Sequence, residues 1–318
     1  MIKNPETQKA EPLSVRHPER VVVLFGEVLA DVFPDRSVLG GAPFNVACHL
    51  RAFGLFPLLI TRIGDDPLGR ELMATMTRLG MTTEGVQQDS LHPTGQVIVH
   101  IENGDHRFEI PPDQAYDFID ANDARKIALS AAPELIYFGS LAQRNEFSFN
   151  ALNNIFQTVQ SRRILDINLR EPWYTVERIQ HSLSHAEVVK MSEDELKVIA
   201  GLLNISGNDE YAQAGAVIRQ FSLQQLLVTC GERGVWQLDA DGNKQVQQGG
   251  SIDLVDTVGA GDAFTAVFIT GTLRGWSNAE ILSRANAFAA AICGVRGAIP
   301  AEPGFYDSFL RAWGESAD

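Results

Sequence analysis

The sequence predicts an α/β protein built on a doubly wound, mainly parallel sheet flanked by helices, with a small β element outside it. Three observations carry this. Runs such as Val21-Val22-Val23-Leu24-Phe25 are continuously apolar and β-branched, as in strands buried on both faces. Stretches with apolar residues at helical spacing separate these runs, which is the rhythm of βαβ units. Near the C-terminus, Val255-Asp256-Thr257-Val258-Gly259-Ala260-Gly261-Asp262-Ala263-Phe264 reads as strand, tight turn and helix N-terminus. Open α/β sheets bind ligands at such strand ends.

The bulk numbers bound the class. The chain has 318 residues, 45% hydrophobic and 21% charged, which are ordinary globular values. Its net charge of −14 argues against nucleic acid and anionic membrane surfaces as partners. The three cysteines, Cys48, Cys230 and Cys293, form no CxxC pair, which suits a reducing cytoplasm. Cys48 sits in an apolar helical pattern and reads as a core residue. No apolar run reaches the length of a membrane span. Residues 1–19 are polar, lack an apolar signal core and read as a flexible tail, so the expected domain is 20–318.

Taken in order, the first strand ends at Gly26-Glu27, and Asp31 follows just beyond it. Gly40-Gly41-Ala42-Pro43-Phe44-Asn45 then opens a helix with Val46, Leu50 and Phe53 on one face and Gly54 as its stop. Paired glycines let a backbone approach a ligand, and Asn45 offers a donor and acceptors to a hydroxyl. A plain Gly-rich helix start fits these residues equally. Leu58-Leu59-Ile60 is the next strand, and Pro67 starts a helix carrying Leu68, Leu72, Met76 and Leu79.

Residues 94–111 break the rhythm. Gln96 to Ile101 alternates, Asn103-Gly104 turns, and His106 to Ile110 returns, so a hairpin is expected outside the main sheet. Val97, Val99 and Ile101 share one face of it. An edge or dimerising hairpin is the other reading, and a homodimer is expected. Strands resume at Leu135–Phe138, Ile164–Ile167, Val188–Met191 and Leu226–Thr229. Asp166, Asn168 and Arg170 fall at one strand end. Ser192 and Glu195 have capping-box spacing. Thr229 to Gly234 turns into a hairpin with Val235–Leu238, and Asn286 begins an Ala-rich run ending at Gly294. His181 and His185 lie one helical turn apart without an evident third metal ligand.

The stretch around Asp262 suggests chemistry. Glycines and a helix N-terminus present free N–H groups, an anion hole without a basic side chain. A carboxylate in its mouth suits a base that takes a hydroxyl proton. Together they suit phosphoryl transfer to an alcohol. The other reading makes Asp262 an N-cap and the glycines a turn.

Asp256-Thr257-x-Gly259-Ala260-Gly261-Asp262-x-Phe264 and Gly40-Gly41-Ala42-Pro43-x-Asn45-Val46-Ala47 resemble the two signatures of ribokinase-like sugar kinases, the second in its fructokinase-type wording. The resemblance spans about residues 20–310. It implies that Asp262 is the catalytic base and that Gly259, Ala260 and Gly261 form the anion hole. It implies sugar contacts from Asp31, Gly40, Gly41, Asn45, Arg170 and Asp262 itself. It places ATP near Lys190, Thr229, Gly231, Gly234, Gly261 and Asn286. Glu195 would hold Mg²⁺ through water, and Asp256 would border a monovalent-cation site for K⁺. The strands near 31–38 and 94–111 would be the lid. Asp166-x-Asn168-x-Arg170 matches fructokinase-type members only in part, because Glu171-Pro172-Trp173-Tyr174 follows. Fructose is the expected substrate. The alternatives are 2-keto-3-deoxygluconate, another ketose or a nucleoside; His106-Arg107-Phe108 stands where deoxygluconate kinases carry Tyr-Tyr-Arg. A catalytically silent sugar-binding regulator and a plain nucleotide-binding scaffold are the non-enzyme readings.

Overall fold

The computed structural model describes residues 20–102, 105–250, 253–302 and 304–315. The tail 1–19 and the Asn103-Gly104 turn therefore lie outside the described residues. In chain order the first half comprises β1 (Val21–Phe25), β2 (Leu29–Val32), β3 (Ser37–Gly40), α1 (Ala42–Ala52), β4 (Phe56–Gly64), α2 (Pro67–Arg78), β5 (Val86–Asp89), β6 (Gly95–Glu102), β7 (Asp105–Glu109), α3 (Ala121–Ala131), β8 (Leu135–Gly139) and α4 (Glu146–Thr158). The second comprises β9 (Arg162–Asp166), α5 (Val176–His185), β10 (Val188–Ser192), α6 (Glu193–Leu202), α7 (Glu210–Phe221), β11 (Gln225–Thr229), β12 (Gly234–Asp239), β13 (Lys244–Gln248), α8 (Ala260–Arg274), α9 (Asn278–Cys293) and α10 (Phe305–Ala312).

Nine strands form the main sheet in the order β13-β12-β11-β10-β9-β8-β1-β4-β5. The strands from β11 to β5 in that order run parallel, and β12 and β13 close one edge as an antiparallel hairpin. The unbroken apolar runs are explained by the layers. Val22 and Leu24 pack with residues of α1, α8 and α9 on one face. Val23 and Phe25 pack with residues of α3, α4 and α5 on the other. Burying both faces at about 25 cal/mol per Å² of apolar surface is what holds such strands central.

The interruption at 94–111 is a separate element. β6 and β7 pair antiparallel, β6 runs parallel to β2, and β3 completes a four-stranded sheet in the order β3-β2-β6-β7. Val97 and Val99 are buried while Gln96, Ile98 and His100 are half-buried, so the expected alternation holds.

Two departures have clear causes. Among the described residues no strand runs into the turn at Gly259, where one was expected to end at Val255. The N–H groups of Val255 and Asp256 both donate to the Cys293 carbonyl at the end of α9, so 253–258 is a loop docked on a helix end. Leu254 and Val255 are exposed there. The strands β5 and β13 escape a hydrophobic reading because Val86-Gln87-Gln88-Asp89 and Lys244-Gln245-Val246-Gln247-Gln248 are polar. That composition suits sheet edges, where exposed apolar residues invite unwanted pairing.

Candidate active site

α8 begins at the organising turn. Its N-cap is Gly259, in the left-handed region at φ 79°, and a Cβ there would fall 2.3 Å from that of Ala298. Only glycine fits both conditions. Ala260, Gly261 and Asp262 are the first helical residues, so their N–H groups lack intrahelical acceptors and carry the positive end of the dipole. The N-cap of α8 is Gly259, not Asp262. Instead Asn45 Nδ2 donates to Asp262 Oδ2 at 2.8 Å, across 217 residues of sequence. This decides against the N-cap reading and sets the N-termini of α1 and α8 at one point. Gly41 caps α1 at φ 104°, and a Cβ there would meet the Glu27 carbonyl oxygen at 2.7 Å.

Burial pushes the Asp262 carboxyl up to about 6 against the Asn45 hydrogen bond; Asp166 adds to the rise, and Lys190 and Arg170 oppose it. A base must be ionised to work. kcat/KM for the sugar should therefore fall as pH drops through about 6, and a pH–rate profile between pH 5 and 8 checks this. A flat profile down to pH 5 removes Asp262 from that role.

Lys190 lies beneath the hole. Its Nζ is 3.1 and 2.9 Å from the two Asp166 oxygens, and the Thr265 hydroxyl donates to the same carboxylate at 3.2 Å. A Cβ on Gly261 would be 2.9 Å from Lys190 Nζ. The ammonium, expected among the ATP contacts, is buried and paired with Asp166 under the first turn of α8.

The expected sugar side comes together at the carboxyl ends of adjacent strands. Asp31 stands on β2 opposite Val38, and its side chain leans toward Gly40, where a Cβ would lie 3.8 Å from Asp31 Oδ2. Burial raises the Asp31 carboxyl, and the Arg170 charge opposes the rise. The same charge acts on Glu27 and Asp262. Arg170 is exposed, and among the described residues its side chain hydrogen-bonds only the Leu169 carbonyl, at 3.3 Å. The Arg170 charge thus acts on three acids, Asp31, Glu27 and Asp262.

A cleft of about 380 Å³ adjoins the hole on the other side. Thr229, Gly231, Gly234, Gly261 and Asn286, expected among the ATP contacts, all line it. Asn286 stands within α9 and donates to the Gln248 carbonyl at 3.2 Å. Sequence reasoning missed Gly249, Gly250, Leu254, Ala289 and Ala290 in the same lining. The alanines next to Asn286 at helical spacing were the available signal.

Glu195 closes the expected capping box: Oε2 accepts the Ser192 N–H at 2.7 Å, and Ser192 Oγ accepts the Glu195 N–H at 3.2 Å. Its Oε1 accepts the Leu169 N–H at 2.7 Å, bracing the loop that bears Arg170. Asp256 accepts from Val258 N at 3.1 Å and from Gly297 N at 3.0 Å. Among the described residues no cluster of three His, Cys, Asp or Glu is arranged for a metal. His181 is paired with Asn153.

Glu27, which the sequence marked only as the end of β1, lies among the same charges. It is 3% exposed, and burial pushes its carboxyl up to about 7. Nothing local to Gly26-Glu27 signals this, because the charges that act on it, Arg170, Asp262 and Arg144, stand far away in sequence.

With this geometry in place, the comparisons fit it. The profile of the pfkB family carbohydrate kinases matches residues 16–303. The chain belongs to the pfkB carbohydrate kinase family. A fructokinase-2 of Oryza sativa subsp. japonica is 30% identical over 312 residues, 89% of this chain and 91% of that protein. The fold matches the fructokinase of Xylella fastidiosa solved with bound ATP, at a TM-score of 0.80 and 22% identity over 93% of this chain and all of that one. It also matches a double mutant of Vibrio cholerae fructokinase holding fructose, ADP and potassium, at a TM-score of 0.77 and 24% identity over 92% of this chain and 98% of that one. This pfkB kinase is thus a ribokinase-like sugar kinase by family and by fold. No described helix is long and apolar enough to cross a membrane.

Proposed function

We propose that this pfkB kinase transfers the γ-phosphate of ATP to a hydroxyl of fructose, with Asp262 as base. The observation that carries the reading is the Asn45–Asp262 hydrogen bond, which holds a carboxylate at the N-termini of α1 and α8. The sugar sits against Asp31, Gly40, Gly41, Asn45 and Arg170. ATP lies in the cleft of Thr229, Gly231, Gly234 and Asn286, with its γ-phosphate toward Gly259, Ala260 and Gly261. Asp262 accepts the hydroxyl proton as the oxygen attacks phosphorus. The three amides and the underlying Lys190 charge stabilise the negative charge on the transferred group. Asn45, held to Asp262, aligns the hydroxyl.

Mg²⁺, when bound, neutralises the phosphate oxygens and needs few protein ligands. Glu195 fits such a site through water, since each oxygen already accepts one backbone N–H and keeps a second lone pair. Asp256, tied to Gly297, fits the rim of a monovalent-cation site. The sheet of β3, β2, β6 and β7 acts as a lid that excludes water and as the contact of a homodimer.

The balance of three acids against one free guanidinium favours a neutral sugar over the carboxylate substrate 2-keto-3-deoxygluconate. A coupled ADP-release assay across ketoses, nucleosides and sugar acids tests the assignment; highest kcat/KM for a sugar acid overturns it. Asp31→Ala should raise KM for the sugar at least about tenfold, the cost of one unpaired hydroxyl at roughly 1–3 kcal/mol, with KM for ATP little changed. An effect confined to ATP would exchange the two half-sites.

A further inference from the structure

Two buried polar residues, Asn45 and His49, stand one helical turn apart on the same face of α1. Asn45 Nδ2 donates to Asp262 Oδ2 at 2.8 Å, and Asn45 Oδ1 is buried without a partner in the chain. A single hydrogen bond thus holds the amide. Whether the amide reaches Asp262 is decided by the angle and depth at which α1 lies.

His49 is fully buried. Its Nδ1 shares a hydrogen bond of 2.9 Å with the hydroxyl of Tyr306 on α10. Its ring meets Phe288 of α9 edge-on, with centroids 5.4 Å apart. The backbone of Ala298 lies close enough to act on the ring. Ala298 is also the residue that seats Gly259, where a Cβ would fall 2.5 Å from the Ala298 Cα. His49 therefore joins the helix that bears Asn45 to the C-terminal helix, beside the segment on which the α8 turn rests.

An apolar side chain would fill this site without the cost of burying an imidazole. What the pair with Tyr306 adds is direction, because apolar contacts are non-directional and a hydrogen bond fixes distance and angle. Burial pushes His49 down to about 3, so the ring stays neutral between pH 5 and 8.

We infer that His49, held by the Tyr306 hydroxyl, is a positioning residue of phosphoryl transfer that sets α1 so that the Asn45 amide meets Asp262. It acts through Asn45, and the C-terminal helix is in this way part of the catalytic frame.

The inference rests on Asp262 as base, and the experiment separates the two. Tyr306→Phe keeps the ring and removes the hydroxyl. kcat/KM for the sugar should fall roughly tenfold, because small displacements of aligned groups are costly, while KM for ATP stays within a few-fold. In an Asn45→Ala background the same change should cost less than about twofold, since the amide it positions is gone. The acid limb of kcat/KM checks the route. The Asn45 hydrogen bond lowers the Asp262 carboxyl against its burial. Loosening that bond raises the carboxyl, so in Tyr306→Phe the limb should move from about 6 to higher pH. The other groups linked to Asp262 are Asp166, Lys190, Arg170, Glu27 and Tyr137, and the substitution leaves all of them in place. A Tyr306 that only anchors α10 would lower the melting temperature and leave the limb where it was. Wild-type kcat/KM in Tyr306→Phe, equal losses with and without Asn45, or an unmoved limb overturns the inference and leaves Asp262 in place. If Tyr306→Phe does not fold, His49→Phe, which keeps an aromatic ring in the core, goes through the same cycle. Full activity of Asp262→Asn would instead remove the base reading itself.

Discussion

Asp262→Asn is expected to lower kcat by about 10²–10⁴-fold while sugar and ATP still bind. The change preserves size, and the Asn carbonyl still accepts the hydrogen bond from Asn45 Nδ2, so the N-termini of α1 and α8 stay joined. Only the proton acceptor is lost. A control for misfolding comes from the same substitution. The folded carboxyl titrates at about 6, above its ordinary value of 3.8. A raised group favours folding while it is protonated, and that contribution fades as pH climbs from about 4 through about 6. Above pH 6 the wild type carries a buried charge that Asn lacks. The variant should melt higher than wild type at pH 8 and no higher at pH 4. Such a gain on removing a catalytic charge is the usual trade of stability for activity. Near wild-type kcat, or a lower melting temperature at pH 8, would sink the assignment.

How much of this was legible in the sequence depended on whether the determining contacts are local. β1, α1 and α2 could be read because their signals are confined to a few residues: an unbroken apolar run, a Gly-Gly-x-Pro start, and an Asp66-Pro67 cap and N1 pair. The Asp262 turn could be read for the same reason, since glycine and helix start are adjacent. What could not be read is what another part of the chain decides. Val255 is apolar and β-prone, yet the Cys293 carbonyl claims its N–H. Lys190 ends an apolar run and suits a phosphate ligand until β9 places Asp166 beside it. Glu27 is an unremarkable strand-end residue until distant elements bury it beside Arg170, Asp262 and Arg144. The proposed base and the turn before it were therefore visible, and the groups packed around them were not.

Lys190 leads to the other large effect. Lys190→Met keeps the aliphatic stem and removes the ammonium, leaving Asp166 buried with Thr265 as its remaining side-chain hydrogen bond. Removing one partner of a buried ion pair costs about 3–5 kcal/mol, far more than the pair itself adds over an apolar replacement. Urea denaturation should show a loss of that size, with the midpoint shifted and the slope kept. Asp166→Asn together with Lys190→Met should recover most of it, because no unpaired charge remains. Activity separates the two roles open to Lys190. If it acts from beneath Gly261 as a fixed cation, the stabilised double variant loses kcat while KM for ATP stays within a few-fold. If Lys190 instead contacts ATP directly, KM for ATP rises steeply in both variants, and stability of the single variant falls by much less than the buried pair demands.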